Sequence, residues 1–415
     1  MVQKSSRPGG RVSTAFVVGH GYHRARQFGP NTMKIAVLKE RRSGEYRVAA
    51  TPETVKKYKA LGLDVVVESG AGEGAYIADS AYEAEGATIT PDAASTVEDA
   101  VLVLKVQRPM AEGEGEDEIG YLPEGSLLIA NLQALTNPGL VAALAEAKVT
   151  SFAMELMPRI TRAQAMDVLS SQSNLAGYKA VIDAAAAFSQ AMPMMMTAAG
   201  TVAPARVLVF GAGVAGLQAI ATAKRLGAVV LATDVRYAAK EQVESLGGRF
   251  IVVDEESMKA AETEAGYAKE MGEEFKKKQA QAVREEVTKA DIVITTALIP
   301  GKPAPRLVTA EMIRDMKAGS VIVDLAAEAG GNVEGSELDK AVNKNGVLIM
   351  GYANLASRLA RDSSSLYARN LYNFIATMVD KDSGALAVDW DDELIAGTLV
   401  TKAGQAVHTA LGGGG

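Results

Sequence analysis

From Met33 onward, short apolar runs rich in β-branched residues alternate with longer stretches whose apolar positions recur at helical spacing. That alternation predicts parallel sheets joined by crossover helices. Strands are expected near 34–38, 64–68, 100–106, 126–130 and 150–154, then near 206–210, 229–233, 250–253, 291–295, 320–324 and 347–350. Between the two sets lies a long helical region, Thr161 to Met192, which reads as a bridge between domains. An early helix opens at Thr51-Pro52-Glu53, with a capping hydroxyl, a proline at its first position and an acid in its first turn, and ends before Gly62. A final helix, about Ser365 to Val379, leads into a short β-rich tail with turns at Asp382-Ser383-Gly384 and Lys402-Ala403-Gly404, closing in four glycines.

At 415 residues the chain exceeds one ordinary core, so two domains are expected. Its 48% hydrophobic and 22% charged residues fit neither a disordered chain nor a membrane bundle. The most apolar stretch, Met192 to Leu231, is broken by Pro193, Pro204, Arg206, Lys224 and Arg225, so no span is expected. Cysteine is absent, which removes thiol nucleophiles and cysteine-based metal sites. Only three histidines occur, His20, His23 and His408. An enzyme built from this chain must avoid proton abstraction or use another base.

The net charge of −7 hides an asymmetry. Residues 1–32 carry Lys4, Arg7, Arg11, Arg24 and Arg26 and no acid, leaving −12 on the rest. An acidic body argues against nucleic-acid binding. The leader reads either as an organellar transit peptide or as a misassigned start; the strand-like run directly after Met33 favours the second.

Three constellations carry chemistry. Arg206 to Phe210 runs straight into Gly211-Ala212-Gly213-Val214-Ala215-Gly216, followed by a helical stretch. Between strand and helix the glycines have a mechanical use: a tight turn at Gly211, room for a pyrophosphate at Gly213, close helix packing at Gly216. The helix N-terminus would offer N–H donors to phosphate. Asp234 closes the next strand, where a carboxylate accepts ribose hydroxyls and repels a 2′-phosphate, favouring NAD(H); Arg236 weakens that preference slightly. Arg159, Gln164, Asp167 and Ser170 form the second; the last three are spaced to share a helix face, able to grip a nicotinamide or simply to form a solvated or capping face. Third, the charged run Asp254 to Glu274 holds Gly266 and Tyr267 and reads equally as a lid or a plain surface loop.

Longer stretches carry a resemblance. Lys39-Glu40 with Arg47-Val48, Lys105 to Pro109, Met154 to Arg159, Ser170 to Tyr178, Met194 to Gly200, Gly266 to Met271 and Ala297 to Pro303 resemble the NAD(H)-binding component of proton-translocating transhydrogenase, in the bacterial form where it is a separate alpha subunit. The resemblance runs from Met33 to the C-terminus. It implies an α/β fold of two Rossmann-like domains with parallel sheets, 33–172 plus 356–415 and 173–355, the C-terminal segment returning to the first, and a mobile loop at about 254–272.

It further implies hydride transfer from NADH to NADP⁺ held on a partner, the beta subunit or an NADP(H)-binding domain, coupled to proton movement through a membrane domain. A peripheral homodimer on the cytoplasmic side of the bacterial inner membrane follows. Arg159, Gln164, Asp167, Ser170 and Tyr267 would position the reacting ring. Ile160, Thr161, Arg162, Gly211, Gly213, Val214, Gly216, Asp234, Val235, Arg236, Gly266 and Leu298 would complete the NAD(H) contacts. Alanine dehydrogenase belongs to the same superfamily; Arg47 and Lys105 match its substrate-binding residues, but Asn131 stands where its catalytic histidine falls. A stand-alone amino-acid dehydrogenase and a non-catalytic NAD(H) sensor are the alternatives.

Overall fold

The computed structural model describes residues 33–252, 273–299 and 301–412. The leader and the 254–272 loop, with Gly266 and Tyr267, lie outside them. Strands β1 (Lys34–Val37), β2 (Asp64–Glu68), β3 (Thr88–Thr90), β4 (Leu102–Gln107), β5 (Leu127–Asn131) and β6 (Thr150–Ala153) come first. A small ribbon follows, β7 (Met195–Thr197) and β8 (Gly200–Val202). Then come β9 (Arg206–Phe210), β10 (Val229–Thr233), β11 (Arg249–Phe250), β12 (Ile292–Thr295), β13 (Val321–Asp324), β14 (Ala341–Lys344) and β15 (Val347–Met350), with β16 (Leu399–Lys402) and β17 (Gln405–Ala406) in the tail.

Two large sheets result, ordered β17-β16-β6-β5-β4-β1-β2-β3 and β11-β10-β9-β12-β13-β15-β14. Among the described residues of these sheets, antiparallel pairing is confined to β14, β16 and β17 and their neighbours. Both are α/β sheets of the doubly wound, Rossmann-like kind, buried on both faces. In β1 and just after it, Ile35 and Val37 enter one core while Ala36 and Leu38 enter the other. In β9, Val207 and Val209 face one layer, Leu208 and Phe210 the opposite one. This two-sided burial explains why the strands read as continuous apolar runs.

The helix Val168–Ala187 joins the halves: Val168 lies in the first core, while Ala180, Val181 and Ala184 lie in the second. Its lack of a single apolar stripe follows from having two partners. A Cβ on Gly177 would meet the Ala215 carbonyl oxygen at 2.0 Å, so the bridge and the helix Val214–Arg225 touch backbone to backbone. The helix Ala360–Ile375 returns to the first sheet, burying Tyr367, Leu371 and Phe374, and the Tyr367 hydroxyl donates to the Lys105 carbonyl at 3.0 Å. Antiparallel pairing of β16 with β6 completes the return.

Several sequence expectations shift. The bridge is shorter than Thr161 to Met192: Thr161–Met166 is a 3₁₀ turn, and the α-helix ends at Ala187. The final helix starts at Ala360, ahead of the expected Ser365, and stops at Ile375. The 250–253 strand shrinks to Arg249–Phe250 among the described residues. At the first helix the Thr51 hydroxyl finds no partner; instead the Thr51 N–H donates to Thr54 Oγ1 at 2.9 Å. The β7–β8 ribbon and β14 are absent from the sequence expectations, because the first is too short for a period and the second too polar.

Candidate functional site

In the order β10-β9-β12 the succession of strands reverses between β9 and β12, the place where open α/β sheets form a crevice at their carboxyl ends. Gly211 turns there with φ +91°, and a Cβ on it would strike Thr296 Oγ1 at 2.6 Å. At Gly216 a Cβ would fall 1.8 Å from the Gly211 carbonyl oxygen, so glycine alone lets the helix start against the turn. Gly213 is different. Nothing lies within 4 Å of its Cβ position, which leaves open space beside the N-terminus of the helix.

Asp234 is tied to this turn. Its Oδ2 accepts the Ala212 N–H at 2.7 Å and Arg236 Nη2 at 3.0 Å; its Oδ1 accepts the Arg236 N–H at 2.9 Å and Nε at 3.0 Å. Burial pulls this carboxyl's pKa upward, but the Arg236 guanidinium and the two amides outweigh it and keep it below the ordinary range. Val214, at the start of the helix after β9, and Val235 and Leu298, on the loops after β10 and β12, are exposed apolar side chains. The Leu298 loop is held by buried Asn332, whose amide accepts from the Ala297 N–H at 3.1 Å and donates to the Ala297 oxygen at 2.9 Å. Asp324 in turn anchors Asn332 and Thr295.

The second group occupies one continuous segment at the head of the bridge. Arg159, Thr161 and Gln164 are exposed, and Ile160 is half-buried. The side chains of Arg159 and Gln164 make no hydrogen bond with the described residues, so both are available to a ligand. Gln164 sits in the 3₁₀ turn, so the expected helix face shared with Asp167 and Ser170 is not formed. Asp167 caps the bridge helix, accepting the Ser170 N–H at 2.9 Å and the Ser170 hydroxyl at 2.5 Å. Arg162 is already engaged: it makes a bidentate pair with Asp392 at 2.7 and 2.8 Å. Because Gly177 pins the bridge to the glycine turn, Ser170 stands about 10 Å along one rigid helix from that contact. The two domains also approach each other at Gly301, where a Cβ would lie 3.8 Å from Leu135 Cβ.

Arg47 and Lys105 belong to neither group. Arg47 is paired with Glu45 at 2.5 Å and bonds Gln172 at 2.8 Å; Lys105, fully buried, pairs with Glu118 at 2.7 Å and Glu40 at 3.5 Å. Glu45 also accepts from Gln107, Asn354 and Ser357, linking the first sheet to the returning chain. Both basic groups are thus committed to structure. Sequence reading missed Asn332, Asp324 and Glu155, whose carboxylate accepts the Leu132 and Ala134 N–H groups at 3.0 and 3.1 Å. Among the described residues no group of three potential ligands could hold a metal, and no helix is long and apolar enough to cross a membrane.

A glycine turn at a sheet's switch point, with an acid at the tip of the adjacent strand and a second α/β domain opposite, defines a two-domain nicotinamide-nucleotide oxidoreductase. The Alanine dehydrogenase/PNT N-terminal domain family matches residues 36–176, and its C-terminal domain family matches 180–409. The chain is 63% identical over 383 residues to the first portion of the split NAD(P) transhydrogenase subunit alpha of Rhodospirillum rubrum, covering 92% of this chain and 100% of that one. It is 33% identical to an alanine dehydrogenase of Halomonas elongata, covering 91% and 96%. A solved transhydrogenase from Sinorhizobium meliloti superposes with a TM-score of 0.80 at 53% identity, covering 90% of this chain and 100% of that one. The chain belongs to the alanine dehydrogenase/PNT family, on its NAD(P) transhydrogenase alpha-subunit branch.

Proposed function

We propose that this chain holds NAD(H) across the second sheet's switch point and presents the nicotinamide, at the Arg159–Ser170 segment, to NADP(H) carried by a partner. The adenosine ribose would lie at Asp234, the pyrophosphate over Gly213 at the helix N-terminus, and the reacting ring beside Arg159, Gln164, Asp167 and Ser170. Val214, Val235 and Leu298 would cover apolar faces of the dinucleotide. Bound NADH supplies a hydride, which NADP⁺ accepts, leaving NAD⁺ and NADPH.

No proton is taken from or given to either reacting carbon, so the protein's part is geometric: to hold one ring at near-attack distance and exclude water. The single observation that carries this reading is the open space at Gly213, beside the turn whose Ala212 N–H is held by Asp234. A protein of this kind has no need of a general base, in keeping with its poverty in histidine. Lys105, paired with Glu118 and Glu40, and Arg47, paired with Glu45, are held in internal ion pairs, which weighs against their use on an amino-acid substrate.

The partner would be a beta subunit or NADP(H)-binding domain joined to a membrane domain that couples transfer to proton movement. This chain would then sit at the cytoplasmic face of the inner membrane. The β7–β8 ribbon supports a homodimer: Met194, Met195, Met196 and Val202 stand exposed on it, and an isolated two-stranded ribbon is marginal in water. Met196→Glu is expected to shift sedimentation to the monomer. The chemistry is tested by mixing the chain with an isolated NADP(H)-binding domain and following reduction of an NAD⁺ analogue by NADPH. Turnover that needs both components is expected; binding of NADH with no transfer would leave only a sensor.

A further inference from the structure

Arg159 and Gln164 reach outward from a backbone that is held on either side of each of them. The anchors are Pro158, Arg162 and Ala165, and their partners all lie on the returning C-terminal chain. A Cβ on Gly397 would meet Pro158 Cγ at 2.5 Å, so the short helix Glu393–Thr398 lies directly against Pro158. Asp392 takes the Arg162 guanidinium in a fork at 2.7 and 2.8 Å, and its carboxylate is preset by accepting the Leu394 N–H at 2.7 Å. The Ala165 carbonyl oxygen, near the end of the 3₁₀ turn, accepts from Asn370 Nδ2 at 2.8 Å and from Asn373 Nδ2 at 3.0 Å. Asn370 is buried, and its own oxygen accepts the Ser171 hydroxyl at 2.7 Å. One amide thus ties the 3₁₀ turn to the first turn of the bridge helix.

Resting on the reading that this segment presents the nicotinamide, we propose that Asn370, Asn373 and Asp392 are positioning residues, through which the returning chain fixes the segment's backbone and so the place of the ring. The order of residues carries the argument: anchors at Pro158, Arg162 and Ala165 alternate with the outward side chains at Arg159 and Gln164. A 3₁₀ turn has poorer hydrogen-bond geometry than an α-helix, and carbonyls at its end are left to outside donors. Two asparagines supply them here. A bidentate fork adds direction as well as energy, whereas an exposed ion pair contributes little to stability. These contacts therefore bear on geometry more than on folding, and none of the three side chains has to touch the dinucleotide. Misplacing a reacting group by about 1 Å costs roughly a hundredfold in rate, so a loosened backbone is felt in transfer before it is felt in affinity.

The test uses the full chain as wild type, Asn373→Ala, Asp392→Asn and the double variant. Asp392→Asn keeps an acceptor for the Leu394 N–H but loses the charge that the fork needs, and Asn373→Ala deletes one donor from a half-buried helix position. Amide hydrogen exchange without ligand is expected to quicken in the peptide spanning 157–167 and to stay unchanged in the sheets. With an isolated NADP(H)-binding domain, single-turnover transfer from NADH is expected to slow roughly three- to tenfold, most in the double variant. The Kd for NADH is expected to stay within about twofold, a rate effect without a binding effect. Unchanged transfer, slower transfer without faster exchange, or NADH affinity falling in step with rate would each overturn the proposal. Should the double variant melt early, the single variants decide by the same readings. A wild-type chain that binds NADH but passes no hydride to the partner overturns the reading beneath, and that failure shows in the wild type rather than in the variants.

Discussion

At the scale of single residues, the candidate site divides into groups that hold the fold and groups left for a ligand. Asp167 does both. As an N-cap it stabilises the bridge helix by about 1 kcal/mol, and its carboxylate is proposed to orient the ring. Asp167→Ala is expected to lower the melting temperature, whereas Asp167→Asn keeps the cap and melts like the wild type. Both are expected to slow hydride transfer more than they weaken NADH binding, read by single-turnover kinetics against titration. Normal transfer with lost binding would contradict the role assigned.

The buried charges of the first domain set its pH response. Burial pushes the Glu40 carboxyl up to about 7, against the pull of Lys105. Its folded form keeps a proton that the unfolded chain loses at 4.5, so this residue makes stability fall as pH rises from 4.5 to 7. Glu45 acts oppositely. Burial raises it, but facing Arg47 brings it down to about 2, so its contribution is present above 4.5 and disappears as pH drops toward 2. Glu40→Gln is expected to remove the decline between pH 4.5 and 7 while leaving the acid limb unchanged, measured by urea unfolding across that range. An unchanged profile would mean that Glu40 is ionised throughout.

At the scale of elements, the glycine turn separates binding from folding. Gly213→Ala adds a methyl to open space at φ −77°, so stability is expected to hold while NADH affinity falls. Gly216→Ala drives a Cβ into the Gly211 carbonyl and Gly177→Ala drives one into Ala215. Each is expected to cost about 1–3 kcal/mol in urea unfolding. The turn, Asp234 and the strand–helix alternation were legible in the sequence because each follows a recurring pattern of residue types at a fixed spacing. Asn332, Asp324 and Glu155 were not legible, since each bonds backbone that lies 21 to 35 residues away or across a loop. Gln164 was misplaced on a helix for a related reason. The spacing of Gln164, Asp167 and Ser170 fits a helix, but Asp167 bonds locally and starts one instead.

At the scale of the whole molecule, the bridge helix Val168–Ala187 turns two sheets into one instrument. Its first turn carries the segment proposed to face the ring, and its middle is pressed on the glycine turn at Gly177. The returning chain closes the arrangement from the other side: Arg358 pairs with Asp183 of the bridge, and Asn354 and Ser357 reach Glu45. A dinucleotide laid along this path would end at the mouth of the cleft, where another protein's ring could approach. The most direct measurement is a crystal structure of the chain with NADH bound. The nicotinamide is expected against Arg159 to Ser170 with one face open to the outside; a ring lodged elsewhere, or sealed where no second ring could reach it, would contradict the proposed function.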